Sequence, residues 1–185
     1  MNDDILVNKK NRLSYNYIPD NLIILPRVLN TNNQKLALHV YKEFLRLQYF
    51  AGKNDINIFI DSGYRSYFHQ LQVYGHYLLK DGIEATRKRV ALPGCSEHQT
   101  GLAFDLGIIE SGNIRNIRLD EAKWLEDNAF KLGFILRYPK GKENITGFGY
   151  EPWHFRYVGS DLAEYMIEND LTLEEYHSKK KCIHK

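Results

Sequence analysis

Two histidines and one aspartate stand out because their types match a metal site. Asp105 lies in the middle of an apolar run, residues 102–109, where a carboxylate is costly to bury unless it is paired or bound to a metal. His98 precedes it by seven residues, and His154 lies in an aromatic segment further along the chain. Two imidazoles and one carboxylate, with a fourth position for water, are the ligand set of a catalytic zinc site. The residues alone leave a second interpretation open, in which Asp105 pairs with an arginine and both histidines are hydrogen-bonded in the core.

Glu151 is the candidate proton carrier. It precedes His154 by three residues, and hydrolysis at a zinc site needs a nearby carboxylate that takes a proton from water and returns it to the leaving group. An offset of three does not place two side chains on one face of an ideal strand. We therefore expect Pro152 to mark a bend, or the side chains to converge from a loop. A salt bridge between Glu151 and a surface lysine is the alternative.

The hydrophobic pattern predicts a strand, a turn and a helix before this region. Isoleucines alternate with other residues over 56–61, which is typical of a half-buried strand that ends at Ser62. Ser66 is the expected N-cap of a following helix, which Gly82 ends. This helix carries an apolar stripe of Phe68, Leu71, Tyr74 and Leu78. Arg65 is therefore expected at the junction between the strand and the helix.

A loop and a second strand are predicted to carry two of the candidate ligands. Residues 92–101 are rich in Pro, Gly and Ser, which indicates a loop containing His98. Residues 102–109 are apolar enough for a buried strand, and Asp105 lies at its centre.

The remaining pattern favours an α+β fold. A main packing helix is expected from Thr31 or Asn32 to Gly52, because Leu36, Val40, Phe44 and Leu47 recur at helical spacing. Thr172 with Glu175 forms a capping box for a last helix. Strands and helices intermingle without a βαβ rhythm or a glycine-rich phosphate loop. We expect one domain over residues 1–185, with a central, mainly antiparallel sheet flanked by helices and the zinc site at the sheet. Residues 1–30 are expected to form an extended arm, and residues 178–185 a mobile tail.

With these residues in place, the chain resembles the zinc D-alanyl-D-alanine peptidases of the VanY and VanX type. The family pattern S-x-H-x-x-G-x-A-x-D is met over residues 96–105, and the pattern E-x-W-H over residues 151–154. A G-Y-R-S element is present at residues 63–66. Residues 90–98 and 133–139 are most similar to VanXY, the cytoplasmic bifunctional branch.

The resemblance implies a role for each matched position at the reacting centre. His98, Asp105 and His154 would hold Zn²⁺. Glu151 would act as general base and then as general acid. Arg65 would be a positive group near the scissile carbonyl, where it stabilises the developing oxyanion.

Three further positions are the family's candidates for substrate binding. Ser96 and Gln70 would grip the terminal carboxylate or the backbone of the substrate, and Trp153 would wall the pocket. From the residues alone, Ser96 and Gln70 could instead cap a helix or a loop, and Trp153 could pack in the core.

The activity that the resemblance implies is hydrolysis of the bond between two D-alanines at a peptide C-terminus. The substrates would be the free D-Ala-D-Ala dipeptide and the peptidoglycan precursor pentapeptide, and their removal implies a role in vancomycin resistance. The alternatives are a VanY-like carboxypeptidase that acts only on the longer precursor, an L,D-carboxypeptidase of cell-wall peptides, and a non-catalytic zinc module that binds peptidoglycan. Glu151 and Arg65 argue against the module, because a pure binder needs no base.

Composition excludes several other classes. The chain has 185 residues, 43% hydrophobic and 26% charged, which is typical of a folded domain. A net charge of +2 gives little reason to expect nucleic acid as a partner. No apolar run is long enough for a secretory signal or a membrane anchor, and two cysteines suit a reducing compartment. We expect a cytoplasmic protein, and the sequence leaves its oligomeric state open.

Overall fold

A computed structural model describes residues 2–27 and 33–183. Near the N-terminus, strands β1 (Leu22–Ile24) and β2 (Lys35–Ala37) pair in an antiparallel ribbon, with Leu22 opposite Ala37. This ribbon leads directly into helix α1 (Leu38–Gly52).

The main sheet is antiparallel and is centred on one strand. Its strands are β3 (Ile58–Ser62), β4 (Ala103–Glu110), β5 (Asn113–Arg115), β6 (Phe134–Leu136) and β7 (His154–Tyr157). The order is β3-β4-β7-β6, and β5 also pairs with β4. The expected α+β domain with a central antiparallel sheet is therefore confirmed.

The helices flank this sheet. They are α1, already described, α2 (Tyr67–Arg89), α3 (Leu119–Asn128), α4 (Glu143–Thr146), α5 (Ser160–Glu168) and α6 (Leu173–Ile183). No helix in the described part of the chain combines the length and the apolar character needed to cross a membrane.

The core lies between α1 and one face of the sheet. The buried side of α1 includes Phe44, whose ring packs edge-on against Phe104 of β4 at a centroid distance of 5.5 Å. Leu106 and Ile108 belong to the same apolar cluster. Because side chains alternate along a strand, Asp105 points to the opposite face. An aspartate can therefore occupy the middle of an apolar strand without entering the main core.

The start of α1 differs from the prediction. The helix begins at Leu38 with Ala37 as its N-cap, and residues 35–37 pair with β1 instead. Leu36 is fully buried, although it lies in β2 and not in the helix in which its spacing had placed it. The proposed N-caps Thr31 and Asn32 lie outside the described residues.

Within residues 2–27 and 33–183, both terminal segments contain more regular structure than the sequence predicts. Residues 1–30 are not only an extended arm, since they contribute β1, and Leu25 is buried in the core. Residues 178–183 continue α6 where a mobile tail was expected, and Lys180 lies 2.8 Å from a carboxylate oxygen of Asp4. At the start of α6, the Glu175 amide donates to the Thr172 hydroxyl at 3.2 Å, and the Thr172 amide donates to the Glu175 carboxylate at 2.8 Å. The predicted capping box is therefore present.

Helix α2 follows its predicted start, but three of the four apolar side chains on its predicted stripe are exposed. The Ser66 hydroxyl accepts from the His69 amide, and Gly82 breaks the helical geometry with φ of 77°, after which the helix resumes to Arg89. Phe68 on the apolar stripe is 62% exposed, whereas Gln70 is buried. The buried face of α2 is thus partly polar, and Gln70 on this face lines a cleft.

Candidate active site

Three predicted metal ligands meet at the face of the sheet opposite the core. His98 comes from a 3₁₀ turn over Glu97–Thr100, Asp105 from β4 and His154 from the first position of β7. One ligand atom from each side chain lies within 4.8 Å of the others. Asp105 bridges the two rings, with Oδ2 lying 3.3 Å from His98 Nε2 and Oδ1 lying 2.8 Å from His154 Nδ1.

His98 is oriented by a backbone carbonyl. Its Nδ1 lies 2.7 Å from the carbonyl oxygen of Gly63, and because a carbonyl only accepts, Nδ1 is the donor. The lone pair of a neutral His98 is therefore on Nε2, which faces Asp105. Gly63 itself packs closely against β2, since a Cβ there would clash with the backbone oxygen of Lys35.

Nitrogen and carboxylate oxygen donors in this arrangement suit zinc. Both histidines are buried, and the Asp105 side chain is 19% exposed toward the adjacent cleft. Protein on one side and an open cleft on the other leave a position for water or substrate, as in catalytic rather than structural zinc sites.

Glu151 enters the site through a tight turn. The amide of His154 donates to the Glu151 carbonyl at 3.0 Å, and the Glu151 amide donates to the Tyr138 carbonyl at 3.2 Å. The turn contains Pro152 and supplies the expected bend. Burial raises the pKa of Glu151 to about 7, an effect that the His154 charge opposes and the Asp105 charge reinforces.

Arg65 is held rigidly at the junction of β3 and α2. Its guanidinium donates to the Gln70 side-chain oxygen and to the Ser62 hydroxyl, both at 2.8 Å. Its backbone amide donates to the His98 carbonyl at 3.1 Å. Burial lowers the pKa of Arg65, and the nearby Asp105 carboxylate opposes this effect.

The three predicted substrate-binding residues all line the cleft, but they differ in what they contact. Gln70 uses its amide nitrogen to donate to the Ala91 carbonyl at 2.7 Å and its oxygen to hold Arg65. Ser96 is buried and makes no side-chain cap to the 3₁₀ turn that it precedes. Trp153 is 41% exposed, so it forms part of the cleft wall and does not pack in the core.

The cleft has a volume of about 390 Å³ and contains both the acidic and the basic candidates. Its lining combines the ligand cluster with Arg65, Glu151 and Trp153, and with groups that the sequence did not single out, among them Tyr77, Lys88, Arg89, Tyr138 and Tyr150. The ring of Tyr138 packs against the ring of His154, with 4.9 Å between the two ring centroids.

A buried charge cluster next to the predicted ligands was missed by sequence reasoning. Glu97 lies between Arg137 and Arg156, and all three side chains are 0% exposed. Arg137 also donates to both carboxylate oxygens of Glu174 on α6, at 2.9 and 2.6 Å. Burial alone would raise the pKa of Glu97, but attraction to the two arginines outweighs it and holds that pKa well below its ordinary value. The sequence pattern that singled out Asp105 could also have found this cluster, because Arg137 and Arg156 are charged residues in otherwise apolar segments.

This site defines the class of protein, a zinc metallopeptidase. The model of the VanY family, D-alanyl-D-alanine carboxypeptidase, matches residues 33–160. The chain belongs to that family.

Similar proteins cover almost the whole chain. VanXYC of Enterococcus gallinarum, a bifunctional D-Ala-D-Ala dipeptidase and carboxypeptidase, is 39% identical over 183 residues, which cover 96% of this chain and 94% of VanXYC. The structure of the LD-carboxypeptidase LdcB has a TM-score of 0.83 at 39% identity and covers 94% of this chain and 85% of its own. A VanY D,D-pentapeptidase from a VanB-type resistance cassette, solved with Zn(II), has a TM-score of 0.82 at 31% identity, with 95% and 99% covered.

Proposed function

We propose that this enzyme hydrolyses the C-terminal D-Ala-D-Ala bond both in the free dipeptide and in the peptidoglycan precursor pentapeptide. The observation that carries the proposal is that Glu151 and Arg65 line the same cleft as the His98, Asp105 and His154 cluster. The extended similarity to VanXYC, which has both activities, supports the dual substrate range.

His98, Asp105 and His154 would hold zinc, which would supply a Lewis acid for the scissile carbonyl and for the attacking water. Glu151 accepts the proton from the attacking water and delivers it to the leaving amine. A carboxyl whose pKa is raised to about 7 is suited to both roles near neutral pH. Arg65, held by Gln70 and Ser62, keeps a fixed positive charge at the cleft, where it stabilises the carbonyl oxygen as negative charge develops.

The substrate's terminal carboxylate is expected to bind beside these groups. Ser96 is the best placed of the proposed contacts, since its buried hydroxyl does not cap the neighbouring turn. Gln70 contributes to substrate binding indirectly. Its side-chain nitrogen and oxygen both form hydrogen bonds within the protein, and the oxygen positions Arg65. Trp153 walls the cleft beside the substrate.

Removal of both substrates would deplete the D-Ala-D-Ala target of glycopeptide antibiotics. We therefore extend the proposal to a cytoplasmic enzyme that contributes to vancomycin resistance. This part is supported by the similarity to VanXYC, and it is tested by whether expression raises the vancomycin tolerance of a susceptible host.

An L,D-carboxypeptidase that trims tetrapeptides is the second candidate. It is favoured by the similarity to LdcB, whose structure matches at a TM-score of 0.83 and 39% identity. The two candidates differ in the residue before the scissile bond, which is D-alanine in one and an L-amino acid in the other.

One experiment separates the candidates. The zinc-loaded protein is incubated with D-Ala-D-Ala, the pentapeptide and the tetrapeptide, and D-alanine release is measured with and without a chelator. Release from dipeptide and pentapeptide, lost on chelation and in the E151Q variant, supports the bifunctional enzyme. Release from the pentapeptide alone indicates a VanY-like carboxypeptidase, and release from the tetrapeptide alone indicates the L,D-enzyme.

A further inference from the structure

The second ring nitrogen of His154 is buried beside Glu97. Nδ1 of His154 lies beside Asp105, whereas its Nε2 is buried and lies 3.8 Å from Oε2 of Glu97. Within residues 2–27 and 33–183, neither Nε2 nor this Oε2 has another hydrogen-bond partner. The separation exceeds that of a hydrogen bond by less than about one ångström, so a small rotation of either side chain brings the two atoms together.

Glu97 is fixed in this orientation by its other oxygen. Oε1 accepts from Nε of Arg137 at 2.7 Å and lies 3.1 Å from Nη1 of Arg156. Both arginines are fully buried and are themselves anchored, Arg137 by Glu174 and Arg156 by the carbonyls of Asp3 and Ile5. With Oε1 taken by two cations, Oε2 is the oxygen left for His154.

We propose that Glu97 is a positioning residue for the zinc site and acts through His154. A neutral imidazole carries one N–H, and the nitrogen that carries it cannot bind a metal. A carboxylate oxygen beside Nε2 favours the form with the proton on Nε2, which leaves the lone pair of Nδ1 for zinc beside Asp105. Ligating histidines generally depend on such a partner for their orientation and basicity. The inference concerns how the metal is held, so it does not depend on which peptide is cleaved.

An isosteric glutamine at position 97 reverses the polarity at one atom. Its amide oxygen must face Arg137 and Arg156, because two donors meet it there. Its NH₂ group then faces Nε2 of His154, donor against donor. This arrangement favours the tautomer with the proton on Nδ1, which competes directly with the metal.

The test is the zinc affinity of E97Q, measured by competition with a chromogenic chelator. We expect a loss of about 10- to 100-fold. The matched control is E174Q, which makes the same change in the same charge cluster and removes one of the two oxygens that accept from Arg137. Among the contacts described for residues 2–27 and 33–183, Glu174 has none with His154. We expect E174Q to bind zinc with near wild-type affinity. Equal losses in the two variants, or no loss in E97Q, would overturn the proposal.

A measurement on the wild-type protein covers the case in which E97Q does not fold. Zinc-loaded protein with ¹⁵N-labelled histidine is expected to show a proton on Nε2 of His154. This proton should exchange slowly with water and give a nuclear Overhauser effect to the Glu97 methylene protons. A His154 ring with no proton on Nε2, or an Nε2 proton without contact to Glu97, would contradict the inference.

Discussion

Asp105 and His154 lie directly opposite each other across strands β4 and β7, and their side chains meet at 2.8 Å. Opposite residues of an antiparallel pair project from the same face of the sheet. The register of this pair therefore places two predicted metal ligands at once, and a slip by one residue would turn one of them into the core. His98 is brought to the same point by the turn that precedes β4.

Replacement of Asp105 by asparagine, a side chain of the same size and shape, should greatly weaken zinc binding. The substitution takes away the only anionic ligand of the proposed set, whose oxygens contact both histidines. We expect a large loss of zinc affinity in a chelator competition, together with the loss of D-alanine release. D61N is the control, because Asp61 is an exposed carboxylate on the neighbouring strand and is not part of the cluster. Retention of zinc by D105N at wild-type affinity would exclude Asp105 as a ligand.

The free energy of unfolding should reveal the cost of burying Glu151. Its folded pKa of about 7 lies above the ordinary 4.5. Below pH 4.5 both states are protonated, and between 4.5 and 7 only the unfolded state loses its proton, so stability falls as the pH rises. In metal-free protein, E151Q should therefore be more stable than wild type by up to about 3 kcal/mol at pH 8 and by little at pH 4.

Urea denaturation in the presence of a chelator measures this difference. A stability gain of equal size at pH 4 and pH 8 would show that the Glu151 carboxyl does not titrate as described. The same variant should bind zinc and fail to release D-alanine, which separates its effect on stability from its effect on turnover.

Replacement of Arg65 by lysine should lower kcat although the charge is kept. The guanidinium makes two hydrogen bonds at 2.8 Å, to Gln70 and Ser62, and the single ammonium of lysine cannot reproduce this fork. We expect kcat to fall by about 10²- to 10³-fold with zinc affinity unchanged. R46K is the matched control, since Arg46 is exposed on α1 and pairs only with Glu43 among the ion pairs described. A similar kcat for R65K and wild type would remove Arg65 from the mechanism.

Replacement of Gly63 by alanine should affect both the fold and the metal site. The added Cβ would lie 2.4 Å from the Lys35 carbonyl oxygen, which is backbone and cannot move freely. We expect a loss of about 1–3 kcal/mol in the free energy of unfolding. Zinc affinity should also fall, since the Gly63 carbonyl orients His98.

Gly75 provides the comparison for this variant. It lies within α2, and a Cβ added there would meet nothing within 4 Å, so G75A should be neutral or stabilising by about 0.5–1 kcal/mol. Thermal unfolding and chelator competition on both variants check the pair. Equal effects of G63A and G75A would show that the close approach at Gly63 does not matter.

Local chemistry in the sequence predicted much of the structure. An apolar run predicted β4 with Asp105 inside it, Ser66 marked the start of α2, and Thr172 with Glu175 marked the start of α6. These features depend on neighbours a few residues apart, which a single sequence displays directly.

Contacts between distant parts of the chain were decided only by the tertiary structure. Residues 35–37 satisfy a helical pattern, yet they pair with β1, because a strand partner was available there. On α2 the apolar side chains of Phe68, Leu71 and Leu78 are exposed, whereas the polar Gln70 is buried and lines the cleft. In each case a partner far along the chain outweighed the local preference.

The same division holds for the site. The sequence by itself supplied the candidate chemistry, since the types and spacing of His98, Asp105, Glu151 and His154 predict a metal centre with a base. Only the fold decided how that chemistry is supported, because Glu97 meets Arg137 and His154 at separations of 40 and more residues. A buried charge is stabilised by oppositely charged groups that lie close to it in space. A single sequence does not show which distant residues these groups are, because strand pairing brings them together.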